Sequence, residues 1–322
     1  MEELKQAFEE YRKKHPLSGT PSNLYKPAEY IMNLGGKRFR PILSILAYQL
    51  FQDSWQKVLP VAYALEIFHN FSLVHDDIMD DAPLRRGQAT VHTKWDLNTG
   101  ILSGDVMLVL AYDFLTQFEE ADKVGRLVQV FSRVAREVCE GQQMDIDFEQ
   151  RPDVQIEEYI RMIELKTSVL LATCLEMGAI AAGASEIDIQ HAYAVGRNIG
   201  IAFQLQDDLL DTFGDGDKIG KRVGGDIIQN KKTFLILKAL ELGNEIQNKE
   251  LRHWMNTPTT DEKEKVEAVT KILLDLDIPQ HAQAKKNEFR TKAFQHLDAI
   301  SATNDKKLPI RMMMERLVSR DH

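Results

Sequence analysis

Cysteine is scarce in this chain: two residues in 322, Cys139 and Cys174. Both lie in apolar helical patterns, which excludes a disulfide framework and reads as buried thiols of a reducing compartment. Proline is sparse too, with ten residues. Eight of them (Pro16, Pro21, Pro41, Pro60, Pro83, Pro152, Pro258 and Pro279) fall where helical patterning breaks. There is no Gly-, Ser- or Pro-rich linker, no low-complexity tract, and no persistent strand alternation or hairpin turn pair. The opening MEELKQAFEEYRKKH is charged throughout and has no signal-peptide apolar region. The longest apolar run, Ser168 to Ala184, is interrupted by Glu176 and is short for a membrane span. Positive charge is also in deficit: Lys and Arg number 40 against 49 Asp and Glu, a net charge of −9. That balance argues against a nucleic-acid partner. The working class is a cytoplasmic enzyme, 43% hydrophobic and long enough to bury a sizeable core.

What is there is helix. VAYALEIFHNFSLVHDD, DVMLVLAYDFLTQF and KTSVLLATCLEMGAIAAGA place apolar residues at helical spacing, in compositions dominated by Ala, Leu, Glu and Met. The one long Gly-rich loop is GDGDKIGKRVGGD, Gly214 to Asp226. The polar stretch Asn244 to Ala284 reads as peripheral helices with no chemistry. The expectation is one all-α domain over residues 1–322.

One motif repeats. DDIMD, Asp76 to Asp80, returns as DDLLD, Asp207 to Asp211, each at the end of an apolar helical run. Positions i and i+4 share a helix face, so Asp76 projects with Asp80 and Asp207 with Asp211. Two such clusters suggest a compensating cation. Magnesium suits them, because it takes hard oxygen ligands and is usually held through one or two carboxylates plus substrate phosphates. Local cations keep company with the aspartates: GGKRFRP at Gly35 to Pro41, LRRG at Leu84 to Gly87, and Lys166, Lys221 and Lys231 beside Thr or Gly. Basic clusters next to acidic ones resemble a diphosphate–magnesium site.

With GGKRFRP, HNFSLVHDDIMDDAPLRRG, KTS, FQLQDDLLD, GKRVGGD and NKKT in this order, the chain resembles the trans-isoprenyl diphosphate synthases (polyprenyl synthetases) from about Tyr25 to the C-terminus. The resemblance implies an all-α bundle around a deep central cavity, a homodimer, and condensation of an allylic diphosphate with isopentenyl diphosphate. It implies three magnesium ions, with Asp76, Asp80 and Asp207 as principal ligands and Asp77, Asp208 and Asp211 ligating or holding waters. Arg85, Lys166, Lys221 and Lys231 would hold the allylic diphosphate. Gly36, Lys37, Arg40, His69 and Arg86 would form the isopentenyl diphosphate site, which has no metal of its own. Lys166, Thr167 and Gln204 match positions near the reacting carbon, where oxygens can face an allylic cation. Released pyrophosphate would take the proton.

Product length is partly readable. Phe71 lies five residues before Asp76, Ser72 four and Phe68 eight, and a helical turn of about 5.4 Å is close to one isoprene unit. An aromatic at the fifth upstream position only, with the short aspartate motif, resembles the geranylgeranyl synthases. Phe71 and Phe68 would then be the floor, with a twenty-carbon product. Farnesyl diphosphate is the alternative, ahead of longer chains, a class I terpene cyclase, or a non-catalytic regulatory subunit. The ending Arg320-Asp321-His322 departs from the family's basic tail and puts closure over the diphosphates in doubt.

Overall fold

Helix-forming composition, interrupted at capped boundaries, produces an all-α chain in the computed structural model, which describes residues 1–214, 223–256 and 261–319. The helices are α1 (Glu2–Lys14), α2 (Ser22–Asn33), α3 (Phe39–Gln49), α4 (Leu59–Met79), α5 (Val91–Lys94), α6 (Leu97–Thr116), α7 (Ala121–Gln150), α8 (Ile156–Ile163), α9 (Val169–Ala181) and α10 (Glu186–Phe213). After them come α11 (Gly225–Ile228), α12 (Phe234–Leu242), α13 (Glu245–Asn256), α14 (Glu262–Asp275), α15 (Ile278–Ala299) and α16 (Asn304–Val318). Local chemistry sets several starts. Asp96 accepts from Thr99 N at 2.8 Å to cap α6, and Gln155 with Glu158 forms a reciprocal capping box on α8. Pro60 and Pro279 sit in the first turns of α4 and α15, where a missing N–H is tolerated. Pro258 lies outside the described residues.

Contacts divide the chain into two compact units. The first comprises Met1–Ser132, Thr173–Gln190 and Ser301–Ile310; the second comprises Arg133–Ala172, His191–Ile300 and Arg311–His322. In the first, α4 packs along α6 and against α3 over fully buried Phe8, Ile31, Leu43, Tyr63, Phe68, Met107 and Phe131. In the second, α12 packs on α15 and α8, with Ile201, Leu205 and Ile236 buried. The apolar run from Ser168 becomes α9, whose every residue is buried.

Two expectations are corrected. Cys139 is exposed: it falls off the buried stripe of α7 marked by Leu127, Phe131 and Val134. Cys174 is buried as expected, and burial pushes its thiol up to about 12. There is also a hairpin. Leu84–Arg85 (β1) pairs antiparallel with Gln88–Ala89 (β2) around Arg86 and Gly87, both at positive φ (54° and 74°). This is the primed turn of a two-residue loop, concealed by an Arg where Asn or Gly is usual.

Candidate active site

In the first unit, α4 carries the leading aspartate motif at its C-terminal end. Asp80 N donates to Asp76 O at 2.9 Å, so the two residues remain one helical turn apart. Asp77 turns inward and is 1% exposed. Its carboxylate accepts from Arg85 Nε at 2.8 and 2.9 Å and from Arg85 Nη2 at 2.7 Å. The β1–β2 turn also presents Arg86, whose Nη1 donates to the Gly35 carbonyl. Gly36 sits at φ 142°. A Cβ there would lie 3.1 Å from Arg86 Nη1, so the backbone favours glycine and any side chain would press on the guanidinium.

Arg40 lies 3.2 Å from His69 Nε2 through Nη1. Burial first, then Arg40, Arg86, Arg85 and Arg38, hold His69 well below the usual imidazole range. The neutral ring therefore accepts from Arg40, and the surrounding guanidiniums make the pocket attractive to an anion. Lys37 is exposed on the same loop. Thus Gly36, Lys37, Arg40, His69 and Arg86 come together in this unit. On α4 below them, the Phe68 and Phe71 ring centroids are 5.6 Å apart. Phe71 is 4.8 Å from the His75 ring and Phe68 is 5.2 Å from Phe131. Ser72 Oγ donates to the His69 carbonyl at 2.9 Å.

The second unit contains a cavity of about 100 Å³ whose lining includes Asp145, Tyr159, Lys166, Thr167, Gln204, Asp208, Asp226 and Lys231. A π-turn, Glu164–Ser168, presents Lys166 and Thr167; such turns are frequent at functional sites. Gly141 admits it: a Cβ there would lie 2.3 Å from Lys166 N. Lys166 Nζ pairs with Asp145 at 2.5 Å. Thr167 Oγ1 donates to Gln204 Oε1 at 3.4 Å, and Gln204 Nε2 to Asp208 Oδ1 at 3.4 Å. The Tyr159 hydroxyl donates to Asp208 Oδ2. Burial pushes the Asp208 carboxyl up to about 8, against the lowering effect of Tyr159. Asp211 anchors the start of α11 by accepting from Asp226 N at 2.9 Å. Asp207 is half-buried on the same helix, and Lys231 Nζ lies 3.9 Å from Asp226. Lys221 lies outside the described residues, as do Arg320, Asp321 and His322.

Sequence reasoning missed Asp145, Tyr159 and Asp226 as members of this cluster. Asp226 ends the quoted GKRVGGD, and Asp145 is one acidic residue among several in EGQQMDIDFEQ, so neither stood out. Among the described residues, no group of three or more His, Cys, Asp or Glu is arranged to hold a metal unaided. The donor set still fits a hard cation, since Asp76 and Asp80 offer carboxylates one turn apart and phosphates complete such a shell.

The family model for polyprenyl synthetase matches residues 21–273. The chain belongs to the polyprenyl synthetase family. Within it, the chain is 35% identical over 303 residues to the geranylgeranyl pyrophosphate synthase of Geoglobus acetivorans, covering 94% of this chain and 92% of that one. It is 42% identical over 224 residues, 69% of each chain, to the geranylgeranyl diphosphate synthase of Methanosarcina mazei. A crystal structure of a geranylgeranyl pyrophosphate synthase superposes with a TM-score of 0.94 at 43% identity, covering 99% of this chain and 98% of that one. Both the family and the all-α class expected from the motifs are borne out. The match includes both aspartate motifs, GGKRFRP, LRRG and KTS of this polyprenyl synthetase.

Proposed function

We propose that the whole chain acts as one catalytic domain, a magnesium-dependent trans-prenyltransferase that joins isopentenyl diphosphate to allylic diphosphates and releases geranylgeranyl diphosphate. The observation that carries this reading is the cradle around His69. Burial first, and then the guanidiniums of Arg40, Arg86, Arg85 and Arg38, keep the ring neutral, and Arg40 and Arg86 supply cations for a diphosphate without a metal, while carboxylates dominate the aspartate motifs. One substrate can thus be held by direct cations and the other through metal. Magnesium, three ions by family resemblance, would bind Asp76, Asp80 and Asp207 and neutralise the allylic diphosphate as it leaves.

The chain's own residues do the rest. Lys37, Arg40 and Arg86 orient isopentenyl diphosphate, and His69 keeps a neutral face within the cationic wall. Lys166, fixed by Asp145, and Lys231 hold the allylic diphosphate. The Thr167 hydroxyl and Gln204 carbonyl oxygens face the developing allylic cation, a preorganised stabilisation. Closing the reacting partners away from water gives proximity and protects the cation. Phe71 and Phe68 stop the growing chain at twenty carbons, in agreement with the names of the relatives above.

A homodimer is supported by α6. It is the one described helix long and apolar enough to cross a membrane by length and composition. Its exposed face shows Leu97, Ile101, Leu102 and Val109 at 39–58% exposure. Asp105 and Asp113 lie on that same exposed face, which fits a second protein copy better than lipid. The setting we propose is cytoplasmic.

The test is incubation with isopentenyl and farnesyl diphosphates plus magnesium, followed by product sizing. A twenty-carbon diphosphate is expected, and no product without magnesium. Phe71→Ala should lengthen the product by at least one isoprene unit, and Ser72→Phe should shift it towards fifteen carbons. An unchanged length in Phe71→Ala would remove Phe71 as the floor.

A further inference from the structure

The GGKRFRP segment contains a cation engaged by protein partners. Arg38, between Lys37 and Arg40, is 4% exposed and holds φ 53° as the N-terminal flank of α3. Each part of its guanidinium is engaged. Nε donates to Glu9 at 2.7 Å, Nη1 to Glu66 at 2.6 Å, and Nη2 to the Met32 carbonyl at 2.7 Å. A left-handed non-glycine residue persists only where its surroundings over-determine it, and here three separate elements do so. Glu66 is on α4, three residues before His69, and Met32 is in the last turn of α2. Glu9 comes from α1, which precedes the stretch matched by the family model.

Glu9 is itself fixed. It accepts from Arg12 Nε at 2.9 Å, while Arg12 reaches Glu29 and Asn33 on α2 at 3.2 and 2.9 Å. The far side of the loop is tied to Arg86 through Gly35. A shift of Arg38 therefore moves Lys37, Arg40 and the Arg86 anchor together.

We infer that Glu9 is a positioning residue for isopentenyl diphosphate: through Arg38 it sets the loop that carries Lys37 and the first turn of α3 that carries Arg40. This rests on the assignment of that loop to isopentenyl diphosphate. Breaking one arm of a buried charge network leaves the rest of it uncompensated, and a small misplacement of a substrate-binding group is costly to recognition. The three partners of Arg38, Glu9, Glu66 and the Met32 carbonyl, all bear on the segment assigned to isopentenyl diphosphate, so the effect falls on that substrate rather than on the one assigned to Lys166 and Lys231.

Steady-state kinetics on Glu9→Gln, Glu9→Asp and Lys37→Ala test it, with thermal melts to establish that each variant is folded. Glu9→Gln should raise KM for isopentenyl diphosphate about tenfold, leaving kcat and the allylic KM within about twofold. Glu9→Asp, which keeps the charge, should recover part of the loss. An unchanged isopentenyl KM in Glu9→Gln, or equal increases for both substrates, overturns the positioning role. If Lys37→Ala also leaves the isopentenyl KM unchanged, the assignment of the loop fails as well. If only Lys37→Ala raises it, the loop assignment stands and Glu9 is a structural ion pair.

Discussion

Asp77 and Asp208 hold the same place in two nearly identical motifs and are buried alike, 1% and 2% exposed. Their partners differ. Asp77 meets the Arg85 guanidinium in a forked arrangement at 2.7–2.9 Å. Asp208 meets the Tyr159 phenol and the Gln204 amide, and burial lifts it to about 8. One motif therefore buries a carboxyl against a guanidinium, and the other a carboxyl that burial itself pushes up to about 8. A five-residue motif fixes where the carboxyls point. What each carboxyl meets is set by partners 8 and 49 residues away in sequence.

The largest effects should come from the positions where the motifs are alike. Asp76→Ala and Asp207→Ala each remove a proposed metal ligand, and metal ions stabilise transition-state charge by several kcal/mol. Turnover should fall by about 10³-fold or more in both, with unchanged far-UV circular dichroism. A collapse in only one would break the equivalence of the two motifs.

Next come the diphosphate sites. Lys37→Ala or Arg86→Ala should raise KM for isopentenyl diphosphate, and Lys231→Ala should raise it for the allylic substrate. A charge-assisted contact is worth about 1.5–3 kcal/mol, or roughly 10–100-fold in affinity. Initial rates with each substrate varied in turn decide it, and equal effects on both substrates would merge the two sites.

Smaller still are the stability effects at the second aspartates. Asp77→Asn removes the carboxylate from a buried fork and should cost about 1.5–3 kcal/mol in urea unfolding at pH 7. Asp208→Asn replaces a carboxyl that burial pushes up to about 8 by an amide of the same shape and should cost less than about 1 kcal/mol. A reversed order would mean that the Asp208 charge, not its hydrogen bonds, stabilises the second unit.

These differences mark how far the sequence could be read. The helices, both aspartate motifs, the basic clusters and KTS were legible because helical period and spacing are local signals. The β1–β2 hairpin was not, because its turn depends on Arg86 adopting a positive φ that only the Gly35 contact makes intelligible. The network of Arg38, Glu9 and Glu66 was equally hidden, since GGKRFRP offers three cations and nothing local says which one turns inward. Tyr159 is on α8 and Asp145 on α7. Nothing in their neighbourhoods predicts that one meets Asp208 and the other Lys166.

The last comparison is a pair of pH slopes of opposite sign, measured with a chelator present. His69 is depressed below its ordinary value of 6.5 by burial and by Arg40, Arg86, Arg85 and Arg38. The unfolded chain takes up a proton there that the folded one refuses, so stability is lost as pH falls below 6.5. His69→Gln should remove that loss, worth up to about 1.4 kcal/mol per pH unit. Asp208 is raised from 3.8 to about 8. Its contribution is fully present below 3.8 and is lost as pH rises through about 8, because the folded state binds the extra proton between those values. The gap between wild type and Asp208→Asn should therefore shift against wild type from pH 4 to pH 8. Urea midpoints at half-unit pH steps suffice to measure both. Parallel curves for Asp208→Asn and wild type would show that the second motif buries a carboxylate after all, and that the two aspartates differ in partner but not in charge.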